Sequence, residues 1–155
     1  MKIAVITVSD RASKGIYADL SGPAVEQVLL AGCPGAVIER AIVPDGKESV
    51  YDALMRHADA DWIITTGGTG PSPRDQTPEA TARYCDRLMP GIAEYFRSRS
   101  LEQTPFAVFS RGIAGMRGPQ YVVNFPGSVK AAAFHAEILA PLLDHGTSMA
   151  LSQGH

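Results

Sequence analysis

Four short apolar segments have the pattern of strands that are buried on both faces. Val, Ile and Ala run with few interruptions through residues 2–8, 36–43, 61–66 and 121–125. A half-solvated sheet alternates apolar and polar positions, whereas strands covered by helices on both sides form continuous hydrophobic runs. The pattern therefore predicts the strands of a mainly parallel sheet.

Segments with apolar residues at helical spacing lie between and after these strands. The predicted helices are one capped by Ser21, opened by Pro23 and ended by Gly32, one at residues 48–58, one capped by Thr77, one opened by Pro90 and one capped by Ser128. The pattern of residues 106–110 is ambiguous and fits a short strand. The chain from Gly146 onward is predicted to be a loose tail.

The alternation of strand and helix predicts the fold class: an α/β protein, with a mainly parallel sheet between two helical layers. A length of 155 residues favours a single domain over 1–155. In such sheets ligands bind outside the carboxyl ends of the strands, so the segments that follow each strand are where chemistry is expected.

Composition narrows the function classes. The formal net charge of −2 argues against a nucleic-acid-binding module. No apolar run is long enough for a signal sequence or a membrane span, which favours a cytoplasmic protein. Cys33 and Cys85 lack metal-ligand spacing and are expected to be reduced thiols. Fifteen glycines and eleven prolines cluster between the apolar segments, as in structured loops.

The most unusual loop is TTGGTGPSPRDQTP at residues 65–78, which directly follows the third predicted strand. Its closely spaced glycines let the backbone approach a ligand and direct N–H groups at an anion. Asp75 in this loop could hold Mg²⁺ against a phosphate, or could form a surface pair with Arg74. The loop matches neither a Walker A motif nor GxGxxG.

The other loops are each less specific. Ser9 and Asp10 follow the first strand, and Asp45 follows the second, where it could serve a ligand or cap the next helix. Arg111 and Arg117, in a glycine-rich segment, could clamp phosphates or belong to an ordinary loop.

The last strand leads into Asn124, Pro126, Gly127, Ser128 and Lys130, which fit an anion site or a plain helix cap. The four histidines lie outside all of these loops, so no catalytic role is assigned to them and no Ser-His-Asp arrangement is indicated.

Several of these motifs together resemble the molybdopterin adenylyltransferase family, the MogA-like and MoaB-like proteins that are related to the G domain of gephyrin. The resemblance rests on TVSDRAS at 7–13, SGP at 21–23, PD at 44–45, TTGGTGPSPRDQTPEAT at 65–81, PG at 90–91, SRGIAGMRG at 110–118 and NFPGS at 124–128. Val129 stands where the family often has proline.

The resemblance implies a three-layer α/β/α sandwich, usually a homotrimer, that transfers AMP from ATP to molybdopterin with Mg²⁺ and releases pyrophosphate. A MoeA-like enzyme that inserts molybdate is the implied partner. Two essential aspartates of the family match Asp45 and Asp75, which are the candidate catalytic and metal-binding residues. The candidate substrate-binding residues are Ser9, Asp10, Thr66, Gly67, Gly68, Thr69, Gly70, Ser110, Arg111, Asn124, Pro126, Gly127, Ser128 and Lys130.

Two other functions are compatible with the sequence. One is a non-catalytic, MoaB-like molybdopterin-binding protein. The other is a nucleotide pyrophosphatase of the CinA type, although those chains are generally longer. Molybdenum and tungsten pathways are equally compatible, and so are both assignments of the adenine and pterin loops.

Overall fold

The computed structural model describes residues 1–152, and its elements follow the predicted order. The strands are β1 (Lys2–Val8), β2 (Val37–Val43), β3 (Trp62–Thr66), β4 (Arg87–Leu88), β5 (Ala114–Arg117) and β6 (Gln120–Phe125). The helices are α1 (Asp10–Ser13), α2 (Ser21–Gly32), α3 (Lys47–Arg56), α4 (Thr77–Tyr84), α5 (Pro90–Leu101), α6 (Val129–Leu139) and α7 (Leu143–Ala150), with 3₁₀ turns at Pro105–Phe109 and Ala140–Leu142.

The six strands form one sheet in the order β2-β1-β3-β6-β5-β4. The four predicted strands pair in parallel, with β1 between β2 and β3, and β6 beside β3. β5 and β4 add an antiparallel edge, in which a turn after Arg117 returns the chain into β6. The prediction of an α/β sandwich with a mainly parallel sheet is confirmed.

Helices cover both faces of the sheet because successive strand residues point to opposite sides. In β1, Ile3 and Val5 pack into the core under α2, α5, α6 and α7, whereas Ala4, Ile6 and Val8 pack into the core under α3 and α4. Every residue of β3 is buried, which explains its uninterrupted apolar sequence. No helix within residues 1–152 combines the length and apolar character needed to cross a membrane.

Two sequence interpretations outside the central sheet were wrong. Residues 105–109 form a 3₁₀ turn rather than a strand, with the Thr104 side chain accepting from the Phe106 N–H. The predicted loose tail continues α7 to Ala150, because Gly146 packs against Trp62 and the Trp62 indole donates to Thr147 Oγ1 at 2.8 Å. Residues 153–155 of that predicted tail lie outside the described residues.

The predicted helix caps were only partly correct. Ser128 caps α6 by accepting from the Ala131 N–H. Ser21 and Thr77, in contrast, are the first helical residues of α2 and α4. The side chain of Asp19 accepts from the Gly22 N–H at 3.0 Å in the place expected for Ser21. The Thr77 hydroxyl donates instead to the Gly67 carbonyl at 2.9 Å, which ties α4 to the glycine-rich loop.

An imidazole is buried in the core under α2, α5, α6 and α7. His135 of α6 is only 3% exposed and packs against Phe96 and Phe125. Its Nε2 lies 2.9 Å from the Ser100 hydroxyl. Burial lowers the pKa of His135 from 6.5 to about 4, because the core solvates an imidazolium poorly.

This burial predicts an acid-sensitive fold. Below pH 6.5 His135 becomes protonated in the unfolded chain but stays neutral in the folded chain. The free energy of unfolding therefore decreases as the pH falls from 6.5 towards 4. At pH 5 the loss relative to pH 7 is expected to be about 2 kcal/mol. Urea unfolding of the wild type and of His135→Gln at several pH values measures it as the difference between their pH profiles. The same change at His57, whose ring bonds the Ala53 carbonyl, is the control. Parallel profiles for wild type and His135→Gln would contradict the prediction.

Candidate active site

The loops that follow β1, β2, β3 and β6 meet at one edge of the sheet, because these strands run parallel. One backbone and one side-chain hydrogen bond join the segment after β3 to the segment after β6. The Gly67 N–H donates to the Phe125 carbonyl at 3.1 Å, and the Thr66 hydroxyl donates to the Pro126 carbonyl at 2.7 Å. The glycine-rich loop is therefore fixed from beneath by its neighbouring strand.

Gly67 and Gly68 have positive φ angles of 106° and 66°, which L-residues with side chains rarely adopt. A Cβ on Gly67 would collide with the Val8 carbonyl oxygen, and one on Gly68 would collide with the Thr77 hydroxyl. Across the gap, a Cβ on Gly127 would lie 3.2 Å from Gly67 Cα. The two loops can approach this closely only because glycines occupy the contact.

Gly68 and Gly127 line two cavities and stand at the boundary between them. The first, which we call the aromatic cavity, has a volume of about 470 Å³. It is lined by residues 68–71, Asp75, Arg97, Ser100, Thr104, Phe106, Ala107, Phe109, Ser110, Pro126, Gly127, Ala131 and His135.

The second, which we call the hydroxyl cavity, has a volume of about 450 Å³ and lies towards β1 and α2. Its lining is Thr7, Val8, Ser9, Ala12, residues 17–21, residues 66–68, Gly127, Ser128 and Val129. The hydroxyl of Thr7 donates to Asp19 Oδ2 at 3.0 Å. Asp19 therefore joins the end of β1 to the start of α2 within this cavity.

Asp10 and Asp45 hold the ends of β1 and β2 together. The Asp10 N–H donates to Asp45 Oδ2, and the Asp45 N–H donates to Asp10 Oδ1, both at 3.0 Å. Arg74 Nη2 lies 3.3 Å from Asp10 Oδ2 and 4.0 Å from Asp45 Oδ2. With Gly46, Pro73 and Gln76 these residues line a cleft of about 400 Å³, which we call the acidic cleft.

This arrangement corrects two of the alternatives left open by the sequence. Asp45 does not cap α3, whose cap residue is Gly46 and whose Lys47 N–H donates to the Gln76 side chain at 3.0 Å. Arg74 does not pair with Asp75 but reaches across to the two carboxylates after β1 and β2.

Asp75 lies in the aromatic cavity, so the structure places the two candidate catalytic aspartates in different cavities. Asp75 Oδ2 accepts from the Ser72 N–H at 3.1 Å, which leaves carboxylate lone pairs for a further partner. Within residues 1–152 no group of three or more His, Cys, Asp or Glu could hold a metal unaided. Carboxylate oxygens nevertheless suit Mg²⁺, which commonly takes one or two carboxylates together with substrate phosphates.

Arg111 fastens the glycine-rich loop rather than standing free beside it. Its Nε donates to the Gly70 carbonyl at 2.9 Å and its Nη2 to the Asp75 carbonyl at 2.6 Å, while Nη1 is paired with Glu79. The hydrogen bond from Arg111 lowers the pKa of Glu79 below its ordinary value. The guanidinium therefore fixes the backbone on both sides of the Asp75 carboxylate.

Most of the remaining predicted site residues line a cavity, but two of them do not. Ser9, Ser110, Pro126 and Ser128 line one or the other cavity, as do residues 66–70 of the glycine-rich loop. Asn124 is buried, and its amide donates to the Thr65 and Thr81 hydroxyls at 2.9 Å, so it lines neither cavity.

Lys130 is exposed on the first turn of α6 and also lines neither cavity. The two arginines of the glycine-rich segment 110–118 have different surroundings, since Arg111 bonds Glu79 and the glycine-rich loop whereas Arg117 contacts Met55 and Tyr84. Arg117 lies in β5 with its guanidinium 4.6 Å from the centre of the Tyr84 ring.

The sequence missed much of the aromatic cavity. The part of the lining that was missed comes from α5, α6 and the 3₁₀ turn at Pro105–Phe109 with the residue before it. Its residues are Arg97, Ser100, Thr104, Phe106, Phe109 and His135. The one signal in the sequence was the apolar run PFAVF at residues 105–109. In the structure its Phe106, Val108 and Phe109 are 74%, 60% and 60% exposed. Such exposure is unusual for a short strand in a covered sheet and is typical of a ligand or protein contact.

Comparison with known proteins agrees with the motifs. Residues 4–145 match the family described as "Probable molybdopterin binding domain". The chain is 38% identical to the molybdopterin adenylyltransferase of Helicobacter pylori, over 96% of this chain and 87% of that one. It is 36% identical to the Escherichia coli molybdopterin adenylyltransferase, over 84% of this chain and 69% of that one.

The structural comparison gives the same result. The solved structure of the molybdopterin biosynthesis enzyme MoaB from Thermus thermophilus superimposes with a TM-score of 0.88 and 40% identity, over 97% of this chain and 96% of that one. The family match, the relatives and the fold therefore agree with the resemblance carried by the loop motifs. The chain belongs to the MogA- and MoaB-like family of probable molybdopterin-binding domains.

Proposed function

We propose that the protein is a molybdopterin adenylyltransferase, which transfers AMP from ATP to molybdopterin and releases pyrophosphate. The carrying observation is that two cavities of about 470 Å³ and about 450 Å³ share the glycines Gly68 and Gly127. Two substrates that enter from opposite sides would bring their phosphates together over a boundary that has no side chains. The names of the relatives support the same reaction.

In this reaction a phosphate oxygen of molybdopterin attacks the α-phosphorus of ATP, the bond to the bridging oxygen breaks, and pyrophosphate leaves with the electron pair. Positioning and charge neutralisation dominate catalysis of such transfers. The glycine-rich loop lets phosphates approach the backbone closely, and Ser9, Ser110 and Ser128 offer hydroxyl groups at the cavity walls. Substrate contacts of Asn124 and Lys130 remain predictions, since neither lines a cavity.

We propose that Asp75 is the carboxylate that would hold Mg²⁺, and that the metal would neutralise charge on the triphosphate. Arg111 keeps Asp75 in place by bonding its backbone carbonyl. Asp45 would act from the acidic cleft, where Arg74 offsets one of the two negative charges that Asp45 and Asp10 carry. Loss of either aspartate therefore removes a fixed charge from the reaction site.

Homotrimer formation, a cytoplasmic location and delivery of the adenylylated product to a MoeA-like enzyme are further parts of the proposal. Self-association is supported by the exposed apolar side chains of the 3₁₀ turn, Phe106, Val108 and Phe109.

The activity itself is tested by mixing the purified protein with molybdopterin, ATP and Mg²⁺. Pyrophosphate and adenylyl-molybdopterin are expected in equal amounts. Tight binding of molybdopterin without pyrophosphate release would favour the non-catalytic MoaB-like function. Hydrolysis of ADP-ribose would favour the pyrophosphatase function instead.

Asp75→Asn is expected to lower kcat by about 10²–10³, because the amide keeps the shape of the side chain but loses its charge. Pyrophosphate release under saturating ATP and Mg²⁺ measures the effect. Asp52→Asn is the matched control, since Asp52 is exposed on α3 and lines none of the three cavities described above. Full turnover by Asp75→Asn would show that this carboxylate has no metal role.

The trimer is tested by light scattering coupled to size-exclusion chromatography. A mass three times that of the 16.5 kDa chain is expected, and it should persist on dilution through the micromolar range. A mass equal to that of one chain would contradict the assembly without affecting the proposed chemistry.

A further inference from the structure

Ser100 and His135 form a hydrogen-bonded pair in the wall of the aromatic cavity. Ser100 lies near the end of α5 and His135 lies on α6, and both side chains line the cavity. Ser100 Oγ is 2.9 Å from His135 Nε2. The imidazole is 3% exposed and is surrounded by Phe96, Phe125 and Phe134.

The other ring nitrogen decides the direction of this hydrogen bond. His135 Nδ1 is a buried side-chain nitrogen without a hydrogen-bond partner in the described part of the chain. A neutral imidazole carries one proton, so Nδ1 is either an N–H donor or a bare lone pair. Orphaned buried N–H groups are rare in proteins. The proton therefore belongs on Nε2, which donates to Ser100 Oγ.

With Nε2 as the donor, the Ser100 hydroxyl accepts that bond and keeps its own O–H for another acceptor. Among the other polar groups of this wall, two hydroxyls also act as acceptors and so keep an O–H, and the Arg97 guanidinium is engaged as a donor. The Thr104 hydroxyl oxygen accepts from the Phe106 N–H, and Arg97 Nη1 donates to the Gly112 carbonyl at 2.7 Å. The Ser110 hydroxyl oxygen accepts from the Gly112 N–H. Ser100 is thus one of the hydroxyl donors that this wall offers to a ligand, and it is the one that a buried imidazole orients.

We propose that Ser100 is a specificity-determining residue, whose hydroxyl, oriented by His135, donates to a ring acceptor of a heteroaromatic substrate in the aromatic cavity. The inference rests on the proposed function. The Phe106 and Phe109 side chains give the cavity apolar walls suited to a flat ring. The acceptor is a ring nitrogen or a ring carbonyl, which adenine and pterin both present, and the experiment separates these two sources.

The decisive variant is Ser100→Ala, which removes the hydroxyl and little else. Binding of AMP and of molybdopterin is measured separately by calorimetry, and KM for ATP and for molybdopterin is measured by pyrophosphate release. We expect Kd and KM to rise about five- to tenfold for one ring-bearing substrate only, with kcat within twofold of wild type. The substrate that weakens identifies the ring in the cavity.

Two further variants distinguish recognition from structure. Ser100→Thr keeps a hydroxyl and is expected to restore binding to within about twofold of wild type. Ser98→Ala makes the same chemical change on the same helix at an exposed position that does not line the cavity, and it is expected to leave both ligands unaffected. Equal weakening of both ligands, or of Ser100→Ala and Ser98→Ala alike, would overturn the inference.

The proton position is tested by ¹⁵N and ¹³C NMR of the histidine-labelled wild-type protein at pH 7. The Nε2–H tautomer of His135 is expected, and the Nδ1–H tautomer would overturn the assignment of Ser100 as a free donor. Failure of the two proposals is distinguishable. Wild-type turnover with unchanged Kd and KM in Ser100→Ala would remove only this inference. Absence of wild-type turnover would remove the proposed function, while the binding measurements would still decide the role of Ser100.

Discussion

The loops after β3 and β6 approach each other closely at the end of the sheet, and glycines occupy their contact. A Cβ added to Gly127 would lie 3.2 Å from Gly67 Cα, and a Cβ added to Gly67 would collide with the Val8 carbonyl oxygen. The ends of β1, β3 and β6 are therefore locked into one backbone surface. Both cavities are built on this surface, since Gly68 and Gly127 line each of them. The glycines cost conformational entropy on folding, and the backbone bonds beneath them offset part of that cost.

Charge at this edge is arranged in two separate groups. Asp10 and Asp45 exchange backbone hydrogen bonds and share Arg74, whereas Asp75 lies beside an arginine that is paired with Glu79. Each group contains two carboxylates and one arginine, so each keeps an excess of one negative charge. An incoming anionic substrate therefore meets an excess of negative charge, which the metal expected with the triphosphate would neutralise.

A hydroxyl group in the wall of the aromatic cavity is oriented by a residue of the protein core. The apolar core keeps His135 neutral, and its burial lowers the stability of the fold in acid. The hydrogen bond from its imidazole orients the hydroxyl of Ser100. An apolar residue in place of His135 would avoid the burial of a polar group in the core. The imidazole thus reduces stability at low pH while giving the cavity wall an oriented donor.

Local sequence determined the central sheet, because apolar runs such as residues 2–8 and 61–66 can be buried only between two helical layers. It also located the glycine-rich loop and Asp75, since tight turns need particular residue types. The wall of the aromatic cavity depended on tertiary structure, because Ser100 and His135 come from different helices and meet only when α5 packs against α6. The same holds for Arg74, which by sequence adjoins Asp75 but bonds Asp10, 64 positions away. The partner of a long side chain depends on which residues lie near it in the folded protein, and a local sequence pattern does not contain that information.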